Sequence, residues 1–87
     1  MTEEDMKKYI KVLESFVNDG SVPKNIRRSA DKMKKILSDE KLSSLARIAK
    51  VIPELEMIGN DTNIPFHTRT KVWELSSQLE VISANRK

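Results

Sequence analysis

Residues 10–27 read IKVLESFVNDGSVPKNIR, and residues 52–69 repeat the same pattern as IPELEMIGNDTNIPFHTR. Each copy contains apolar residues at helical spacing, an Asn-Asp pair, an aliphatic residue before proline, and an arginine four residues after that proline. The apolar spacing is typical of amphipathic helices, and the Asn, Asp and Pro residues are typical of a turn. The pattern predicts two helical hairpins related by an internal duplication at an offset of 42 residues.

Helical spacing continues through most of the 87 residues, and no segment alternates as a strand would. We expect a single domain with hairpin 1 over about 2–37, hairpin 2 over about 42–84 and a frayed tail over 85–87. Thr2 is predicted to cap the first helix. Pro53 is predicted to kink the third helix, which we expect to begin near Leu42, because proline removes one backbone hydrogen bond.

The way in which the two hairpins pack follows from their number. Two copies are fewer than the three or so repeats that a solenoid needs to bury a continuous core. Closing the hairpins face to face buries both apolar faces at once. The predicted fold is therefore an all-α, four-helix antiparallel up-and-down bundle.

The repeated turn suggests a structural clamp. The asparagine is expected to end a helix in the left-handed conformation, and the aspartate to accept backbone N–H groups at the start of the next helix. The arginine is expected to reach back to the aspartate. The predicted clamp residues are Asn18, Asp19, Pro23 and Arg27 in the first copy, and Asn60, Asp61, Pro65 and Arg69 in the second. The alternative is that Arg27 and Arg69 together bind an anion.

The doubled turn carries two resemblances. An aspartate in the turn and an arginine entering the second helix resemble HEAT-type repeats. Residues 18–30 and 60–70 together resemble uncharacterised protein family 0147, a family of short archaeal proteins, over essentially the whole chain. The resemblance implies an all-helical four-helix bundle of unknown function in the archaeal cytoplasm. It implies no catalytic residues.

The composition excludes several kinds of site. The chain has no cysteine, one histidine and only two glycines, which leaves no disulfide, no cysteine nucleophile, no histidine pair for a metal and no glycine-rich phosphate loop. His67 is best explained as a polar residue of the fourth helix's first turn, with a metal shared with Asp61 or with a second chain as the alternative. We expect a cytoplasmic protein that is not an enzyme, carries no cofactor or metal, and has no membrane partner.

Positive charge is concentrated in the second helix. Residues 22–37 hold six basic residues and one acidic residue, a net charge of +5 in a chain of net +3. Steps of four, four and three predict one solvent-facing stripe, formed by Lys24, Arg28, Lys32 and Lys35. The stripe is either a solvated face or a weak, salt-dependent contact with nucleic-acid phosphates.

Two aromatic residues lie beside the apolar stripe of the fourth helix. Phe66 and Trp73 are seven residues apart, so they share one helix face. They either widen the bundle core or form an exposed patch that binds another protein or a second copy of the chain. The sequence therefore predicts a protein-interaction or structural module, with nucleic-acid binding as the alternative.

Overall fold

Four helices account for most of the molecule in the computed structural model, which describes residues 3–84. They are α1 (Glu3–Val17), α2 (Lys24–Leu37), α3 (Ser44–Gly59) and α4 (Phe66–Ala84). α3 begins two residues later than predicted because the Ser43 hydroxyl caps it, accepting a 3.1 Å hydrogen bond from the Ala46 N–H. The predicted Thr2 cap and the tail over 85–87 lie outside the described residues.

The helices contact one another around a ring. α1 packs on α2, α2 on α3 and α3 on α4, and a smaller contact between α1 and α4 completes the ring. The molecule measures 37 × 21 × 17 Å, with its helices side by side. The predicted all-α four-helix bundle is confirmed. Among the described residues, no helix is both long enough and apolar enough to cross a membrane.

The core is built from the predicted apolar stripes. Its buried hydrophobic residues are Met6, Tyr9, Leu13 and Phe16 of α1, Ile26, Ala30, Met33 and Leu37 of α2, Ile48, Val51, Leu55 and Ile58 of α3, and Val72, Leu75 and Leu79 of α4, with Val22 and Ile64 from the turns. Both hairpins contribute to this one cluster. Each hairpin therefore covers the apolar face of the other.

Pro53 lies inside α3, which continues through it from Ser44 to Gly59. The proline is exposed, whereas Val51 and Leu55 on either side of it are fully buried. Packing on both sides of the proline stabilises the helix against the loss of one backbone bond. The helix therefore continues past the residue at which the sequence predicts a kink.

All three connections between helices use the same turn. In each, an aspartate Oδ1 accepts the backbone N–H of the residue two positions later. The pairs are Asp19 with Ser21 (2.9 Å), Asp39 with Lys41 (3.0 Å) and Asp61 with Asn63 (2.8 Å). The internal repeat predicted the first and third turns. It did not reveal the second, where serine replaces both the asparagine and the proline.

The prediction of a left-handed asparagine is wrong. Asn60 ends α3 with φ −91° and ψ −3°, and no residue in the described part of the chain has a positive φ. The aspartate bond turns the chain without that conformation. The aspartates also bond within the loop, rather than at the start of the next helix as expected.

The prediction of an arginine–aspartate clamp is only partly right. Arg69 Nη2 donates to the backbone carbonyl of Asp61 at 2.6 Å, rather than to its carboxylate. Arg27 does not reach Asp19, and its buried Nε has no hydrogen-bond partner. In each of these turns the aspartate Oδ1 already accepts a loop N–H, and Asp19 Oδ2 also pairs with His67.

Candidate functional site

Phe66 and Trp73 project from α4 into solvent. Phe66 is 77% exposed and Trp73 is 55% exposed, although their neighbour Val72 is fully buried. The alternative in which they widen the core is therefore wrong, since the core is already filled by the Val72, Leu75 and Leu79 stripe. We call the face that carries these two aromatic side chains the Phe66–Trp73 surface.

The Trp73 indole lies directly over Gly59, the last residue of α3. A Cβ atom at Gly59 would lie 2.8 Å from Trp73 Nε1 and 3.0 Å from Cδ1, closer than van der Waals contact allows. The missing side chain thus makes room for the ring to rest on α3. The ring is held against the bundle while about half of the residue remains accessible.

Polar side chains border the indole. An open depression of about 490 Å³ runs along α4 and is lined by Trp73, Thr70, Glu74, Ser77 and Gln78. Further along α4, Glu80 shares a hydrogen bond with Glu56 of α3. This hydrogen bond, the desolvation of Glu80 and its repulsion by Glu56 raise the pKa of Glu80. An apolar centre within a polar rim is the composition of many protein interfaces.

The basic residues of α2 form a second exposed feature. Lys24, Arg28, Lys32 and Lys35 are all exposed, as predicted. An open groove of about 700 Å³ runs along the outer face of α2. It is lined by these four residues together with Arg27, Val17, Ile36 and two aspartates. We call it the α2 groove. Five cationic side chains and two acidic ones, Asp31 and Asp39, line the groove, so its electrostatic potential is positive.

Several of the α2 cations are paired with carboxylates. Lys32 Nζ lies 3.1 Å from Glu54 Oε1 of α3, and Lys35 Nζ lies 3.2 Å from Asp31 Oδ2 one turn earlier. Such exposed pairs contribute little to stability. They do, however, neutralise part of the charge in the half of the groove farther from the start of α2.

His67 pairs with a residue of the other hairpin. Its Nε2 lies 3.2 Å from Asp19 Oδ2, which connects the start of α4 to the α1–α2 turn. Hydrogen bonds from the Ser21 side chain and amide, and then from His67, lower the pKa of Asp19 to about 2. The alternative of a metal shared with Asp61 finds no support, since His67 faces Asp19 and residues 3–84 bring no three metal-ligating side chains together.

Arg47 is the residue that sequence reasoning missed. It occupies the position of Arg27 and Arg69 in the middle turn and is 4% exposed. Its Nε donates to the Leu42 carbonyl at 3.0 Å and its Nη1 to the Leu37 carbonyl at 3.2 Å. An Asp-x7-Arg spacing, shared by all three turns, is the signal that would have revealed it.

The model of a family described as Uncharacterised protein family (UPF0147) matches residues 1–82. The chain belongs to this family. A UPF0147 protein of Methanosarcina mazei is 48% identical over 81 residues, which cover 93% of this chain and 87% of the relative. The predicted resemblance to uncharacterised protein family 0147 is confirmed.

Two crystal structures share the UPF0147 fold. One, of a protein described as of unknown function, has a TM-score of 0.85 and 39% identity, and the match covers 92% of this chain and 91% of the other. The second, a UPF0147 protein of Thermoplasma acidophilum, has a TM-score of 0.84 and 34% identity, with 92% and 95% covered. These names describe a family whose function is uncharacterised, so the function of this member is argued from its surfaces.

Proposed function

We propose that this UPF0147 protein is a non-enzymatic interaction module that binds a protein chain through the Phe66–Trp73 surface. The observation that carries the proposal is the placement of both rings in solvent, with the indole seated on Gly59. A tryptophan held in one orientation loses little conformational freedom on binding, and tryptophan is frequent at the energetic centre of interfaces.

The partner is either a second copy of the chain or a different protein, and one set of variants tests both. We would compare wild type with Trp73→Ser and Phe66→Ser by sedimentation across a wide concentration range, and by quantitative co-purification from an archaeal host. Met57→Ser is the matched control, because the exposure of Met57 lies between those of Trp73 and Phe66 and the residue belongs to α3. Loss of an interface tryptophan typically weakens binding by about 30-fold, equivalent to about 2 kcal/mol.

The expected result is an assembly or a stoichiometric partner that Trp73→Ser loses and Met57→Ser retains. A wild-type protein that stays monomeric, and that co-purifies the same proteins as Trp73→Ser, would contradict the proposal.

The second candidate function is weak nucleic-acid binding by the α2 groove. The specific observation in its favour is the concentration of five cations around one open groove. Clustered cations gain affinity for polyanions by releasing condensed counterions, and such binding weakens steeply with salt. Titration of duplex DNA and structured RNA at two salt concentrations tests it, and an absence of affinity at low salt would remove it.

A further inference from the structure

The cations of the α2 groove are not equivalent. Lys32 and Lys35, in the second half of α2, are held by Glu54 and Asp31. Lys24, Arg27 and Arg28 lie in the first five residues of the helix. In the described part of the chain no carboxylate lies within ion-pair distance of these three side chains. The available positive charge is therefore concentrated where α2 begins.

Arg27 differs from its two equivalents in the other turns. Arg47 and Arg69 donate to backbone carbonyls, which fixes their guanidinium groups inside the fold. The Nε of Arg27 is buried without a hydrogen-bond partner, and the residue lines the groove. Its guanidinium can turn toward an anion in the groove without giving up an internal hydrogen bond at Nε.

The helix end itself favours an anion. Pro23 occupies the N-cap position of α2, makes no side-chain cap, and is followed by a first turn without an acidic residue. The backbone N–H groups of that turn and the positive end of the helix dipole are consequently left uncompensated by side chains. This adds to the charge of the three cations, which all lie within about 6 Å along the helix axis.

The lining of the groove indicates which part of a nucleic acid it would contact. None of the described residues that line it is aromatic, so bases cannot stack there as they do in single-strand binding proteins. A duplex presents the higher density of phosphate charge and needs no stacking. We propose that the first two turns of α2 contact the backbone phosphates of duplex nucleic acid through Lys24, Arg27 and Arg28, an inference that rests on the second candidate function.

The test compares two double variants that remove the same charge from the two halves of the groove. Lys24→Gln/Arg28→Gln neutralises the unpaired half, and Lys32→Gln/Lys35→Gln neutralises the paired half. Binding to a fluorescent 20-base-pair duplex is measured by anisotropy from 25 to 200 mM NaCl, with circular dichroism to establish that each variant is folded. The matching single strand and a polyglutamate of equal charge are competitors.

Three phosphate contacts predict a slope of about −2.7 for the logarithm of the binding constant against the logarithm of salt concentration. We expect Lys24→Gln/Arg28→Gln to reduce the slope to about −0.9 and the affinity by about tenfold or more at low salt. The paired-half variant should lose less affinity and keep a slope of about −2.7, because its lysines contact carboxylates rather than phosphates.

Each other result overturns the inference in a distinguishable way. An equal or larger loss in the paired-half variant places the phosphate contact elsewhere on α2 and leaves nucleic-acid binding standing. Tighter binding of the single strand, or equal binding of polyglutamate, refutes duplex phosphate as the ligand. No salt-dependent binding by wild type removes both this inference and the second candidate function.

Discussion

Three arginines occupy equivalent positions in this protein, eight residues after an aspartate, yet their partners differ. Arg47 bonds two carbonyls inside the fold, Arg69 bonds one, and the Nε of Arg27 bonds none. Equivalent positions therefore carry out different tasks. Arg47 joins the end of α2 to the loop that follows, whereas Arg27 is available to the α2 groove.

Replacing Arg47 with alanine is expected to lower the free energy of unfolding by about 2–3 kcal/mol, because two carbonyls lose a donor inside the fold. Urea denaturation followed by circular dichroism measures the change. Arg28→Ala is the control, since Arg28 is exposed and its loss should cost about 0.5 kcal/mol or less. Equal stabilities of the two variants would show that the Arg47 bonds are not structural.

Asp19 gives the protein a predictable response to acid. Its pKa is about 2 in the folded state against 3.8 ordinarily, so the carboxylate stabilises the fold above about pH 4 and that contribution is lost as the pH falls toward 2. Asp19→Asn should unfold at a lower temperature than wild type at pH 6, and the difference should shrink steadily as the pH falls from about 4 to 2. Thermal unfolding between pH 2 and 7 tests this.

The matched control for Asp19→Asn is Asp61→Asn. Asp61 makes the same turn bond to a loop amide but has no histidine partner among the described residues. A difference between wild type and Asp19→Asn that stayed constant down to pH 2 would contradict the assignment of the effect to this carboxylate.

At the scale of the helices, the ends of α3 and α4 determine how the Phe66–Trp73 surface is presented. Gly59 ends α3 where the Trp73 ring crosses it, and its φ is not positive. The glycine is thus needed for the space it leaves rather than for its backbone conformation. The exposure of Trp73 is a property of the helix pair and not of α4 alone.

Gly59→Ala is expected to displace the indole while keeping the helices intact, because the added methyl would lie 2.8 Å from Trp73 Nε1. Trp73 is the sole tryptophan, so its fluorescence maximum and its quenching by acrylamide report the displacement directly. Gly20→Ala is the control, since a Cβ atom there meets nothing within 4 Å. An unchanged emission spectrum in Gly59→Ala would contradict the packing of the Trp73 ring against Gly59.

At the scale of the whole molecule, the two hairpins depend on each other for a core. The buried residues of both belong to one cluster, and the contacts of α2 with α3 and of α1 with α4 join the hairpins. The His67–Asp19 pair also joins the hairpins, from the start of α4 to the α1–α2 turn. A single hairpin would expose an apolar face that short helices cannot compensate for by themselves.

We expect peptides covering residues 1–41 and 42–87 to be largely unfolded when separate, and to regain helix when mixed in equal amounts. Circular dichroism and thermal unfolding of each peptide, and of the mixture, measure this. Cooperative unfolding of either peptide alone would show that a hairpin is an independent unit and that the closed ring is not required for folding.

Parts of the candidate site could be predicted from the sequence, and others could not. The exposure of Lys24 and Arg28 follows from the helical period, because the opposite face of α2 is apolar. The hydrogen-bond partners of Arg27 and Arg69 could not be predicted, because the distance from each guanidinium to a carboxylate or carbonyl depends on how the turn folds. The packing of the Trp73 ring on Gly59 could not be predicted either, because the two residues are 14 positions apart and lie on different helices.

The four helices, their apolar stripes and the positions of the first and third turns follow from the sequence, because these depend on the order of residues within one or two helical turns. The exposure of Trp73, the pairing of His67 with Asp19, and the pairing of Lys32 and Lys35 with carboxylates that Lys24 and Arg28 lack become visible only in the packed fold. Those features depend on distances between neighbouring elements or on the setting of individual side chains, which the helical period does not encode.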